Sequence, residues 1–181
     1  AYVPMFYYNS SGQMFLTFLW SGGPGGFWSI PINNPDGPLP EVTYGEPFPC
    51  GPSYASYTKP THLSDGSIMW ASGKSTTIIY RSLNDGLTYS MYSEITDSPA
   101  PSSARIYAES SIVEKNDGTL WHLRRLEGGA RGGIEQSFSI DGGLTWSTPQ
   151  GNLPHPLRSP GSRFTMQRLK SGALLFVTNA G

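Results

Sequence analysis

The chain has 181 residues and a formal net charge of −1, so nothing in it draws nucleic acid or an anionic membrane from a distance, and any anion must be met by a few placed arginines. Only 14% of the residues are charged, against roughly 25% in ordinary soluble domains, while 22 glycines, 16 prolines and 13% aromatics describe many turns joining short aromatic-rich strands. That composition predicts an all-β fold, and the longest apolar run, Met14 to Trp20, falls far short of the about 20 residues of a membrane span, so no membrane insertion is expected.

In chain order, four short elements repeat: Ser11-Gly-Gln-Met-Phe-Leu16, Asp65-Gly-Ser-Ile-Met-Trp70, Asp117-Gly-Thr-Leu-Trp-His122 and Ser171-Gly-Ala-Leu-Leu-Phe176. Each is a tight turn that opens into an apolar strand. Their starts lie 54, 52 and 54 residues apart, and self-similarity at such a period marks a solenoid, a propeller or an array. Between the turns, Ile78 to Ser82, Ile106 to Glu114 and Ile134 to Ser139 alternate at strand length, and no longer stretch carries a helical period. A four-stranded blade fits about 50 residues, which gives units at 1–50, 51–104, 105–158 and 159–181, about three and a half blades of one partial propeller domain. Closed propellers have 4–8 blades, so the chain is expected to be a fragment.

Two further elements recur inside the central units: Ser82-Leu-Asn-Asp-Gly-Leu-Thr-Tyr89 and Ser139-Ile-Asp-Gly-Gly-Leu-Thr-Trp146. In the pattern Ser-x-Asp-x-Gly-x-Thr-Trp the Asp accepts backbone N–H bonds, the Gly takes a positive φ, and the Ser, Thr and aromatic pin the turn to its sheet. Ser82, Asn84 and Gly86 in the first copy, and Ser139, Asp141, Gly143 and Trp146 in the second, are therefore given structural work. Trp70, Trp121 and Trp146 are expected at equivalent core places. Trp20, Phe27 and Trp28 flank the stretch Gly22-Gly-Pro-Gly-Gly26 and are read either as core or as a platform for a sugar ring. The glycine stretch lacks the Lys-Ser/Thr continuation of a phosphate loop.

Metal and redox chemistry are not expected. Cys50 is alone, and His62, His122 and His155 are scattered without ligand spacing, so neither a transition metal nor another cofactor is predicted.

The Ser139 to Trp146 element resembles the Asp-box of sialidase-like propellers, also called the bacterial neuraminidase repeat, and nearly the whole chain is similar to that family. The resemblance implies a six-bladed β-propeller in the intact protein, with the boxes away from its catalytic face. The segment Ala108-Glu-Ser-Ser-Ile-Val-Glu-Lys-Asn-Asp-Gly-Thr-Leu-Trp-His-Leu-Arg-Arg125 resembles the family block that supplies a catalytic Glu and then an Arg. On that match Glu109 is the catalytic Glu, which in sialidases polarises a nucleophilic tyrosine, and Arg125 belongs to the arginine triad that grips the substrate carboxylate. Ala108 stands where many sialidases have Asn. Lys59-Pro-Thr-His-Leu-Ser-Asp-Gly66, Gly133-Ile-Glu-Gln-Ser137 and Ser162-Arg-Phe-Thr-Met-Gln-Arg-Leu-Lys-Ser-Gly172 resemble recurrent blocks of the broader sialidase-like hydrolases, which implies Lys59, Glu135 and Arg163 as further substrate-binding residues.

The chemistry stands beside the likeness. A guanidinium grips a sugar carboxylate as a two-pronged fork, and a neighbouring carboxylate acts as base toward a phenol or water. Strand alternation puts Trp121, Leu123 and Arg125 on one face and His122 and Arg124 on the other, so Arg124 is the fallback for Arg125. The resemblance implies an exo-acting glycoside hydrolase of a terminal, acidic sugar of a glycan, secreted or periplasmic, although no export signal is read in the chain. The Arg-Ile-Pro segment, acid/base Asp, third Arg and nucleophilic Tyr of sialidases do not occur here, so the chain alone is expected to be inactive. A non-catalytic Asp-box propeller that binds glycan or protein is the other reading.

Overall fold

A computed structural model describes residues 2–20, 26–51, 58–73, 76–96, 105–127, 133–151 and 163–178. Residues 22–25 of the glycine stretch lie outside the described residues, as does His155. No α-helix occurs among the described residues; the helical element there is a single 3-10 turn at Leu39–Glu41. None of the described helical residues is long and apolar enough to cross a membrane.

The protein is all-β and is built of several antiparallel sheets, as a propeller-like fragment is. The first sheet runs β1 (Tyr2–Tyr8), β2 (Met14–Trp20), β3 (Gly26–Asn33), with β4 (Thr43–Tyr44) and β5 (Phe48–Gly51) both on β3. The second runs β6 (Thr61–His62), β7 (Ile68–Ser72), β8 (Thr77–Ser82), β9 (Ser90–Ile95). The third runs β10 (Arg105–Glu114), β11 (Leu120–Glu127), β12 (Gly133–Ser139), extended by a bridge from Gln136 to Gln150. The fourth is the hairpin of β13 (Thr165–Arg168) and β14 (Leu174–Val177).

One turn, made four times, explains why these strands start where they do. At Asn9, Leu63, Lys115 and Leu169 the amide donates to the carbonyl four residues on, and the glycine three residues on donates back. Those glycines, Gly12, Gly66, Gly118 and Gly172, have φ of 84°, 83°, 81° and 84°, the left-handed residue that a three-residue hairpin loop needs to match the strand twist. The four Gly-containing strings of the sequence are these four turns.

The core lies in slabs between successive sheets, as period-2 alternation on two-sided sheets requires. Tyr7, Phe15, Phe27 and Cys50 of the first sheet meet Ile68, Trp70, Tyr80 and Tyr89 of the second. The Trp70 indole lies flat on Tyr89, centroids 4.4 Å apart and 2° from parallel. Met69, Ala71 and Ile79 meet Ile112 and Leu120 of the third sheet. Val113, Leu123 and Ile134 meet Phe164 and Met166 of the fourth.

The tryptophans need correction. Register puts His122, not Trp121, at the place of Trp70, because Trp70 is the sixth residue of its string and Trp121 the fifth. Trp121 faces the fourth sheet and stacks on Phe138. His122 instead presents its ring to the edge of Trp146, 5.8 Å away, where Trp70 meets Tyr89 in the preceding sheet. Near the glycine stretch, Phe27 is wholly core, Trp28 is half-buried and Trp20 is exposed.

Candidate functional site

The third sheet carries the chemistry, and its two faces carry different parts of it. Cross-strand partners share a face, so the pairs Ser110 with Arg124, Arg124 with Glu135, and His122 with Ser137 all face the second sheet. Ser111, Leu123 and Arg125 face the fourth.

Glu109 reaches Arg125 through an irregularity in the ladder. Ile106 pairs with Leu126 and Ser110 with Arg124, so residues 107–109 of β10 stand against Arg125 alone. Such a bulge bends its strand and re-aims a side chain. The Glu109 carboxylate is buried, and its Oε2 accepts from Arg125 Nη1 at 2.5 Å. Its Oε1 accepts from Arg163 Nε at 3.2 Å. Arg163 arrives from the fourth sheet and keeps 63% of its side chain exposed, against 11% for Arg125.

Three of the expected residues are thus brought together: Glu109, Arg125 and Arg163. Lys59 lies one sheet away, where Thr58 Oγ1 donates to the Ser110 carbonyl and ties the entry of the second sheet to β10 beside Glu109. Lys59 is half-buried, and burial lowers the pKa of its ammonium from the usual lysine value. Among the described residues it forms no ion pair with Glu109.

Glu135 is not with them. It stands on the opposite face of the sheet, 1% exposed, where its Oε2 accepts from Arg124 Nε at 2.9 Å and lies 2.7 Å from Arg124 Nη2. Arg124 Nη1 donates to Thr77 Oγ1 of the second sheet at 3.3 Å. The expectation of Glu135 as a pocket residue is therefore corrected to a buried partner of Arg124, and the fallback role of Arg124 goes with it. That pairing is what sequence reading missed. Its signal is the one-to-one register of β11 and β12, which sets Arg124 against Glu135.

The two eight-residue turns do the bonding expected of them. Ser139 Oγ donates to Asp141 Oδ1 and accepts from the Gly143 amide, both at 2.8 Å. Asp141 accepts from the amides of Leu144 and Thr145 and from Thr145 Oγ1. The Thr145 hydroxyl, then its amide and the Ser139 hydroxyl, hold the Asp141 pKa down at about 2. In the first copy Ser82 binds the Gly86 amide, and Asn84 accepts from the Thr88 amide through Oδ1 while its Nδ2 donates to Thr88 Oγ1. The carboxamide thus reverses one bond and keeps the turn. Both glycines take positive φ, 87° at Gly86 and 90° at Gly143. Each also abuts the preceding sheet: a Cβ on Gly86 would lie 2.5 Å from Tyr7 Oη, and one on Gly143 2.8 Å from Met69 Cε. Trp146 Nε1 completes the second latch by donating to Ser93 Oγ at 3.1 Å.

No group of three or more His, Cys, Asp or Glu is placed to hold a metal ion among the described residues. The arrangement is suited to an anion beside a carboxylate: one buried carboxylate, a buried guanidinium fixing it, and a second guanidinium at the surface.

Comparison with known proteins places the fold. No family model matches, and no curated protein matches. Among solved structures, a protein of unknown function from Dyadobacter fermentans superposes with a TM-score of 0.64 at 16% identity, over 96% of this chain and 55% of that one. A Hadza microbial sialidase, Hz136, superposes with a TM-score of 0.60 at 19% identity, over 96% of this chain and 39% of that one. The chain is similar to both in fold, and it spans about half or less of each.

Proposed function

We propose that this chain forms about half of a six-bladed, sialidase-like propeller whose intact form is an exo-acting glycoside hydrolase of a terminal acidic sugar. The observation that carries the reading is the buried Glu109 carboxylate held between Arg125 and Arg163. A carboxylate beside two guanidinium groups suits a substrate that brings its own negative charge, since a guanidinium fork binds a carboxylate directionally and more strongly away from bulk water. In this reading Arg163 meets the sugar's acidic group at the surface, Arg125 fixes the Glu109 carboxylate, and Glu109 acts as base toward a phenol or water. Lys59 adds a further cation at the pocket edge.

The eight-residue turns are Asp-boxes in this reading and latch one blade to the one before. The shares of the two matched structures, 55% and 39%, support a ring completed by further sheets. Those sheets would supply the remaining catalytic groups, so the isolated chain does not turn over substrate. A glycan outside the cell as substrate goes with a secreted or periplasmic protein.

A second reading is favoured by one detail. Both oxygens of Glu109 already accept from guanidinium groups, so the carboxylate serves as a brace for two arginines in a non-catalytic propeller that binds glycan or protein. A panel of fluorogenic glycosides, acidic and neutral, incubated with the full-length protein separates the two. Release of fluorophore from an acidic sugar supports the hydrolase; glycan binding without release from any member supports the brace.

A further inference from the structure

A layer of buried polar atoms lies behind the candidate site, between the second and third sheets. Ser110 Oγ, His122 Nε2 and Ser137 Oγ are inaccessible and lack a hydrogen-bond partner among the described residues, and the guanidinium of Arg124, whose Nη2 lies 2.7 Å from Glu135 Oε2, borders them. They are not scattered. Ser110 and Arg124 form one cross-strand pair and His122 and Ser137 another, both on the face turned to the second sheet. The pairs are two residues apart along β11, about 6.6–6.8 Å, a span that two hydrogen-bonded waters fill. The second sheet turns Thr77, which accepts from Arg124 Nη1, and Ala71 to this face beside the larger Met69 and Ile79.

Buried polar atoms without partners are rare and costly, and three on one patch of one face call for a common explanation. Hydroxyls and a neutral imidazole both donate and accept, and a water molecule needs two to four polar partners to be held inside a protein. We infer that ordered water occupies this layer, one molecule bridging Ser110 and Arg124 and another bridging His122 and Ser137, as an internal hydration site that braces the buried Arg124–Glu135 pair. A resident anion fits less well, because the charge of Arg124 is already matched by Glu135. The inference stands whether the protein is a hydrolase or a binder.

Removing a hydroxyl gives a result whose sign decides. If water is bound, Ser137→Ala and Ser110→Ala each take away a hydrogen bond and lower Tm by about 2–4 °C, the shift that one ordinary bond gives in a chain of this size. If the layer is dry, each substitution removes an unsatisfied buried hydroxyl, and Tm stays or rises, which overturns the inference. A crystal structure of the full-length protein at a resolution that shows solvent is the second measurement. Density within hydrogen-bond distance of His122 Nε2 and Ser137 Oγ is expected there. An empty contact, or a peak whose anomalous signal marks an ion, would also overturn it.

Discussion

Glu109 and Arg125 meet at 2.5 Å across a strand irregularity, both buried, while Arg163 adds an exposed third member at 3.2 Å. Burial separates what the two arginines contribute. Truncating one partner of a buried pair strands the other charge and costs about 3–5 kcal/mol, whereas an exposed pair is worth about 0–1 kcal/mol. Arg125→Ala should therefore destabilise the fold by several kcal/mol and Arg163→Ala by about 1 kcal/mol or less, as read from urea unfolding. Equal losses would show that the two pairs are alike in solution.

The glycines of the two turn types should respond differently to alanine. Gly118 at φ 81° has open space where a Cβ would go, so Gly118→Ala bears only backbone strain of about 1–2 kcal/mol. Gly143 at φ 90° adds a close approach to the buried Met69 and to Leu120 at 3.2 Å, so Gly143→Ala should cost at least about 1 kcal/mol more. Thermal unfolding of the pair measures the difference. A smaller effect at Gly143 would mean that the latch between the sheets is loose.

Acid should unfold the protein earlier than its carboxylates alone would. Burial, and then the charge of Arg124, lower the His122 pKa from 6.5 to about 3. The unfolded chain therefore takes up a proton near pH 6.5 that the folded protein refuses. His122 contributes full stability above pH 6.5 and loses it progressively as pH falls toward 3. His122→Phe should flatten that limb of the Tm profile between pH 6.5 and 4. An unchanged slope would place the imidazole in contact with solvent.

Much of the architecture was legible because it rests on local rules. A glycine three residues into each turn, followed by an apolar strand, is a local signal, and it recurs at Gly12, Gly66, Gly118 and Gly172. The bonding of Ser139, Asp141 and Gly143 followed from their side-chain chemistry in the same way. Glu109 and Arg125 were legible through a family likeness, but their geometry was not: strict alternation says nothing of the irregularity at residues 107–109 that lets the two meet.

What failed was long-range register. Glu135 was grouped with Arg125 through the likeness of Gly133-Ile-Glu-Gln-Ser137 to a block of sialidase-like hydrolases, yet the pairing of Arg124 with Glu135 puts it on the far face. A shift of one residue in register exchanges the faces of every side chain, and the three glycines between these strands, Gly128, Gly129 and Gly132, mark a turn without fixing which residues pair across it. Trp121 was grouped with Trp70 because tryptophans recur once per unit, and a one-residue offset moves it to the opposite slab.

The central claim is that Glu109 and Arg125 form the working centre of a hydrolase of acidic sugars. Its most direct measurement is kcat/KM of the full-length protein for the acidic glycoside it cleaves best, beside Glu109→Gln and Arg125→Ala, with folding verified for each. The account predicts a fall of at least about 100-fold for Glu109→Gln, the range for loss of a positioned acid or base, and a comparable fall for Arg125→Ala. Activity within a few-fold of the unaltered protein in a folded Glu109→Gln variant would contradict it.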